Sequence, residues 1–119
     1  MIDHFNLPVI DLGRIRHCYE HVLAPLGLRF ILQDGSAVGF GTDTWAFGIV
    51  VMREAFPKLH LAFAAESRSA VDRFFEAALS LGAQSNGAPG FRAKYDPSYY
   101  AAFVFDPDGH NIEAVCRRP

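Results

Sequence analysis

The 119 residues suit one folded domain, and half of them are hydrophobic, so a core can form without disulfide or metal cross-links. Lys and Arg number 11 against 13 Asp and Glu, and this net charge of −2 leaves no basic surface for a nucleic acid. The apolar runs are too short to span a membrane, and the acidic start Ile2-Asp3 is unlike a signal peptide. We therefore expect a cytoplasmic protein without a membrane partner, in which Cys18 and Cys116 are reduced.

The first half of the chain predicts one strand, one helix and three further strands. Apolar residues at helical spacing between Ile15 and Leu26 indicate the helix, which Asp11 can cap and Gly27 can end. Alternating apolar segments separated by turn sequences predict strands at 3–10, 28–33, 37–40 and 45–52.

The second half repeats this order. A strand is expected at 59–65, and the helix that follows has an apolar stripe from Val71 to Leu79, with Ser69 at its start and Gly82 at its end. The Gly/Pro/Asn-rich stretch 84–90 predicts a loop. Three more strands are expected at 91–95, 99–105 and 111–117, the last two forming a hairpin.

The two halves match at a constant offset. Three pairs of residues lie 56 positions apart: His4 and His60, Tyr19 and Phe75, and Leu23 and Leu79. This repeat predicts one α+β domain, 1–119, made of two β-α-β-β-β modules at about 1–55 and 56–119. Neither sheet can cover its own face, so curled mixed sheets are expected around a shared cleft, with the helices outside. The modules can complete each other within one chain or between chains.

Alternation along the strands places His4, His60 and Glu113 on the sheet faces that point away from the helices. Two imidazoles and a carboxylate are a ligand set for one divalent ion, such as Zn, Ni, Fe or Mn, with open positions left for a substrate. The alternative is a cleft without metal, in which the histidines are structural. His17 and His21, four residues apart on a helix, are a second place for a metal, although no Glu adjoins them.

Polar aromatic residues follow the Gly/Pro/Asn-rich stretch and can position an anionic or aromatic substrate over the metal. Tyr99 and Tyr100 must face opposite sides of a strand, so only one of them can reach the site. Trp45 and Phe47 of the fourth strand can line the cleft. The expected substrate contacts are Arg92, Tyr95, Tyr100, Trp45 and Phe47.

Several segments resemble the vicinal oxygen chelate superfamily, over essentially the whole chain. They are the opening Ile2-Asp3-His4-Phe5, the strand His60-Leu61-Ala62-Phe63, and the closing Asp106-Pro107-Asp108-Gly109-His110-Asn111-Ile112-Glu113. The superfamily includes glyoxalase I, extradiol dioxygenases, and the bleomycin and fosfomycin resistance proteins. The resemblance implies that His4, His60 and Glu113 occupy metal-ligand positions, that Glu113 is the catalytic residue for proton transfer, and that the protein is a homodimer.

The resemblance predicts a glyoxalase-like, metal-dependent enzyme of the lyase or isomerase type that acts on a small substrate with vicinal oxygens. The carboxylate that glyoxalase I uses as a fourth ligand has no counterpart within 45–51, which argues against glyoxalase I itself. One alternative is an extradiol dioxygenase-type oxygenase, although the short chain lacks the additional His and Tyr residues of those enzymes. The other is a non-catalytic protein that sequesters a drug or metabolite, as bleomycin resistance proteins do.

Overall fold

The computed structural model describes residues 2–119 and contains the same series of elements twice. The first module comprises β1 (Phe5–Val9), α1 (Leu12–Leu23), β2 (Arg29–Asp34), β3 (Ala37–Gly41) and β4 (Trp45–Val51). The second comprises β5 (His60–Ala64), α2 (Arg68–Ser80), β6 (Gln84–Phe91), β7 (Tyr100–Phe105) and β8 (Asn111–Cys116). The predicted α+β fold with two β-α-β-β-β modules is confirmed.

Both modules have the same sheet topology. The strand orders are β1-β4-β3-β2 and β5-β8-β7-β6. In each sheet the first strand of the module pairs in parallel with the last, and the other neighbours are antiparallel. The register of the second sheet sets His60 opposite Asn111 and Phe103 opposite Glu113, which decides which side chains share a face.

The N-terminal caps of the helices follow local sequence chemistry. The carboxylate of Asp11 accepts a hydrogen bond from the N–H of Gly13 at 2.9 Å and starts α1, as predicted. Helix α2 begins earlier than expected, because Ser67 and not Ser69 accepts from the N–H of Ala70, at 3.0 Å. No helix within residues 2–119 has the length and apolarity needed to cross a membrane.

The stretch predicted as a loop, 84–90, lies in strand β6, and the expected strand at 91–95 is largely a turn. Strand β6 is at the edge of its sheet, where Pro89 interrupts no central ladder. Its pairing with β7 shifts register on both sides of Gly87, as far as Gly90. An edge strand with bulges therefore accommodates the glycines and the proline that suggested a loop.

One core joins the two modules. Both helices and the helix-side faces of both sheets contribute to a single cluster of buried residues. The rings of Phe47 in β4 and Phe63 in β5 meet edge to face with centroids 5.0 Å apart. The Tyr19 hydroxyl in α1 donates to the carboxylate of Asp106, beyond β7, at 2.7 Å. This packing leaves the opposite face of each sheet outside the common core.

Candidate functional site

The second outer face, the side of the second sheet that points away from α2, carries a His–Glu pair. Nε2 of His60, at the start of β5, lies 2.9 Å from Oε1 of Glu113 in β8. The side chain of Glu113 is only 3% exposed, whereas that of His60 is 53% exposed. The carboxylate is therefore held inside the protein while the imidazole beside it remains open to a ligand.

Tyr99 holds the other oxygen of this carboxylate. Its hydroxyl donates a hydrogen bond to Oε2 of Glu113, and the ring of Tyr95 packs on the Tyr99 ring with centroids 5.1 Å apart. Burial, and then the hydrogen bond and the charge of Glu113, raise the pKa of Tyr99 to about 12. At neutral pH the phenol is thus protonated and serves as a donor that orients the carboxylate.

Phe103 contacts the pair, and Arg92 lies over Phe103. The ring of Phe103 stands edge to face with the His60 imidazole, with centroids 6.2 Å apart. The guanidinium carbon of Arg92 lies 5.4 Å from the centroid of the Phe103 ring. Arg92 also donates to the carbonyls of Ala88 and Gly90, each at 2.9 Å, and these bonds fix its position over Phe103.

The first outer face, the side of the first sheet that points away from α1, carries His4 and Trp45. Their ring centroids are 4.6 Å apart, and Nδ1 of His4 lies 2.8 Å from the carboxylate of Asp3. The Trp45 side chain covers Gly39 and Gly48, since a β-carbon at Gly39 would lie only 2.9 Å from Cβ of Trp45. A cavity of about 250 Å³ on this face is lined by Trp45 and both glycines.

The predicted metal ligands do not all meet in one chain. His60 and Glu113 form a pair on the second outer face, whereas His4 lies beside Trp45 on the first. Among residues 2–119, no three His, Cys, Asp or Glu side chains form a group that could hold a metal ion. The other candidates, His17 and His21, are parallel to within 19° on α1, with ring centroids 6.4 Å apart.

Two of the expected substrate contacts lie on the helix side of their sheets. Phe47 is buried in the core, where its ring packs on Tyr19 with centroids 5.1 Å apart. The hydroxyl of Tyr100 donates to Asp72 of α2 at 2.7 Å. Tyr99, and not Tyr100, lies beside Glu113. Strand alternation shows that Tyr99 and Tyr100 face opposite sides of the sheet. Only the pairing of β7 with β8 shows which of these sides carries Glu113.

Comparisons with known proteins agree on one family. The model of the Glyoxalase/Bleomycin resistance protein/Dioxygenase superfamily matches residues 1–114. No curated protein is a significant match. A glyoxalase/bleomycin resistance protein from Albidiferax ferrireducens is 28% identical, with a TM-score of 0.84 over 96% of this chain and 97% of that one.

Two further structures share the fold at lower identity. Lactoylglutathione lyase from Agrobacterium tumefaciens is 18% identical, with a TM-score of 0.73 over 98% of this chain and 92% of that one. The fosfomycin resistance protein FosX from Mesorhizobium loti is 20% identical, with a TM-score of 0.71 over 98% and 91%. At these identities the likeness extends to the fold and not to the reaction.

Proposed function

Because the chain belongs to the glyoxalase/bleomycin resistance protein/dioxygenase superfamily, we propose that it is a metal-dependent enzyme of the glyoxalase type. Its substrate would be a small molecule with vicinal oxygens, and its reaction that of a lyase or isomerase. The observation that carries the proposal is the 2.9 Å pair of His60 and Glu113 on an accessible face. Imidazole and carboxylate are ligands of Zn, Ni, Fe and Mn, and such an ion supplies Lewis acidity to adjacent substrate oxygens.

His4 is the third ligand in this proposal, and it comes from a second copy of the chain. Its side chain is 48% exposed, and its Nε2 makes no hydrogen bond within residues 2–119. A homodimer that sets the first outer face of one copy against the second outer face of the other would bring His4 to His60 and Glu113. Such a dimer would also cover both faces that the common core leaves outside.

Glu113 is the proposed catalytic residue. Its two oxygens differ, because Oε2 is held by the Tyr99 hydroxyl while Oε1 faces His60. Oε1 is thus the oxygen that would bind the metal and, after leaving it, hold a proton taken from the substrate, while Tyr99 would hold the carboxylate through Oε2. The burial of Glu113 keeps bulk water from competing for that proton.

Sequestration of a ligand without reaction is the second candidate, and the first outer face favours it. The indole of Trp45 over Gly39 and Gly48, beside a cavity of about 250 Å³, suits a planar ligand. In addition, β4 (Trp45–Val51) carries no carboxylate to serve as a fourth ligand or a base.

Metal analysis of protein purified without chelator tests the site. We expect a divalent ion whose affinity falls at least about tenfold in His60→Ala, which removes the ligand nitrogen, and in Glu113→Gln, which replaces the anionic carboxylate with a neutral amide. His21→Ala, which removes an exposed imidazole from α1, is the matched control and should retain the ion. Loss of metal in His21→Ala but not in His60→Ala would move the site to α1.

Turnover assays of the metal-loaded protein separate the candidate functions. Conversion of a hemithioacetal that is lost in Glu113→Gln supports the lyase or isomerase proposal. Cleavage of a catechol with oxygen uptake would replace it with dioxygenation. Tight binding of an aromatic drug by metal-free protein, with neither substrate converted, would favour sequestration.

A further inference from the structure

Three cationic side chains, which we name the cationic rim, stack on aromatic rings next to the His60–Glu113 pair. Each lies over an aromatic ring, at distances between 4.7 and 5.4 Å from the ring centroid: Arg92 over Phe103, Lys94 over Tyr95 and Arg117 over Tyr99. Stacking on a ring restricts a long side chain and fixes where its charge lies. The rim therefore places three positive charges at the second outer face.

The rings connect the cationic rim to the His60–Glu113 pair. Phe103 packs edge to face with His60, and Tyr99 donates to Glu113. Tyr95 packs on Tyr99 and thus lies one ring farther out. Two of the three cations are one ring away from the pair, and the third is two rings away. The charges of the rim therefore lie within two rings of a ligand bound at His60.

No carboxylate forms a salt bridge with the rim. Within residues 2–119, Arg92, Lys94 and Arg117 form no ion pair. The hydrogen bonds of Arg92 go to carbonyls, which carry no net charge. The nearby Asp96 uses its carboxylate to accept the N–H of Ser98 at 2.7 Å. Although the chain as a whole has a net charge of −2, the three cations of the rim outnumber the one carboxylate of the pair, that of Glu113.

We propose that the cationic rim binds an oxyanion group of the substrate, a carboxylate or a phosphoryl group. A guanidinium has five N–H donors in a planar fork that matches such a group, and Arg92 uses only part of them on carbonyls. The substrate of this site is thus an anion, and neutral or cationic molecules are disfavoured. The identity of the site as the substrate site rests on the proposed function, but the charge preference does not depend on a bound metal.

Three planar ligands of the same shape test the preference: benzoate is an anion, benzamide is neutral and benzamidinium is a cation. Their affinities are measured by NMR titration of chelator-treated protein at low ionic strength. We expect benzoate to bind about tenfold more tightly than benzamide, and benzamidinium to bind most weakly, since an oxyanion gains charge-assisted hydrogen bonds. Added NaCl should weaken only the binding of benzoate.

Single substitutions then assign the effect to the rim. Lys94→Gln and Arg117→Gln should each weaken benzoate about two- to fivefold, as expected for exposed charges. Arg92→Lys keeps the charge but loses the fork, and should weaken benzoate about tenfold without changing benzamide. Arg73→Gln removes an exposed cation from α2 and should leave all three affinities unchanged.

The outcomes distinguish this inference from the proposed function. Equal affinities, a preference for benzamidinium, or no binding of benzoate at about 10 mM would overturn the oxyanion proposal, because that concentration corresponds to negligible recognition. Charge-selective binding by a protein that holds no metal and converts no substrate would support the oxyanion proposal and contradict the enzyme proposal. Metal-dependent turnover without any charge preference would support the enzyme proposal and contradict the oxyanion proposal.

Discussion

At the scale of single residues, the hydroxyl of Tyr19 links the two modules inside the common core. It is 1% exposed and donates at 2.7 Å to Oδ2 of Asp106, whose Oδ1 accepts two backbone N–H groups. Tyr19→Phe would leave Oδ2 of this buried carboxylate without its donor. We expect the free energy of unfolding in urea to fall by about 1.5–3 kcal/mol, the range for hydrogen bonds to charged groups.

The control is Tyr100→Phe, which removes a less buried hydrogen bond to Asp72 and should lower the free energy of unfolding by about 1 kcal/mol or less.

The Tyr19 hydroxyl also predicts a pH dependence of stability. Burial, and then the charge of Asp106, raise the pKa of Tyr19 well above 10. Because the folded pKa exceeds the unfolded one, this contribution is fully present below about pH 10 and is lost as the pH rises towards the folded pKa. The stability of the unsubstituted protein should therefore fall more steeply above pH 10 than that of Tyr19→Phe, and parallel curves would contradict the assignment.

At the scale of elements, two glycines of the first sheet should respond differently to an added methyl group. A β-carbon at Gly41 would overlap the backbone carbonyl of Thr44, in the turn between β3 and β4. At Gly48 the overlap is with the side-chain amide of Asn6, which can rotate away. We expect Gly41→Ala to lower the free energy of unfolding by about 1–3 kcal/mol and Gly48→Ala by less than about 1 kcal/mol. Urea unfolding of both variants gives the order, and the reverse order would mean that Asn6 is not free to move.

The helices and strands also show which structural features local sequence patterns can predict. Helix α1 and its cap at Asp11 were predicted because periodicity and capping are local. Strand β6 was missed because its glycines and Pro89 are tolerated only at an edge that the neighbouring β7 defines. The choice between Tyr99 and Tyr100 needs similar long-range information. Alternation separates two neighbours, but only the pairing with β8 shows which one faces Glu113.

At the scale of the whole molecule, the arrangement of the modules decides what the repeat-related histidines can do. The types and faces of His4, His60 and Glu113 follow from the sequence, because strand alternation is local. Whether the three meet depends on how one module packs on the other, which no short-range pattern encodes. Since the modules share their core through the helix sides, His4 and the His60–Glu113 pair lie on different outer faces and form no three-residue group within residues 2–119.

If two chains share each metal site, chains that carry different substitutions in the site should complement each other. A heterodimer of His4→Ala and His60→Ala chains, isolated by two affinity tags, has one site with both defects and one with none. Each homodimer has only damaged sites. We therefore expect the heterodimer to recover about half of the unsubstituted protein's tightly bound metal and of any turnover, because a twofold dimer has two equivalent sites.

The matched control pairs His60→Ala with Glu113→Gln, two changes within the same half of the site. Every site of that heterodimer keeps one defect, so the heterodimer should recover neither metal binding nor turnover, although its tags and its interface are the same. If only the first heterodimer recovers metal binding, His4 of one chain lies at the His60–Glu113 pair of the other chain. Failure of both heterodimers, in a protein that binds metal through His60 and Glu113, would contradict the shared site and leave His4 to its contacts with Asp3 and Trp45.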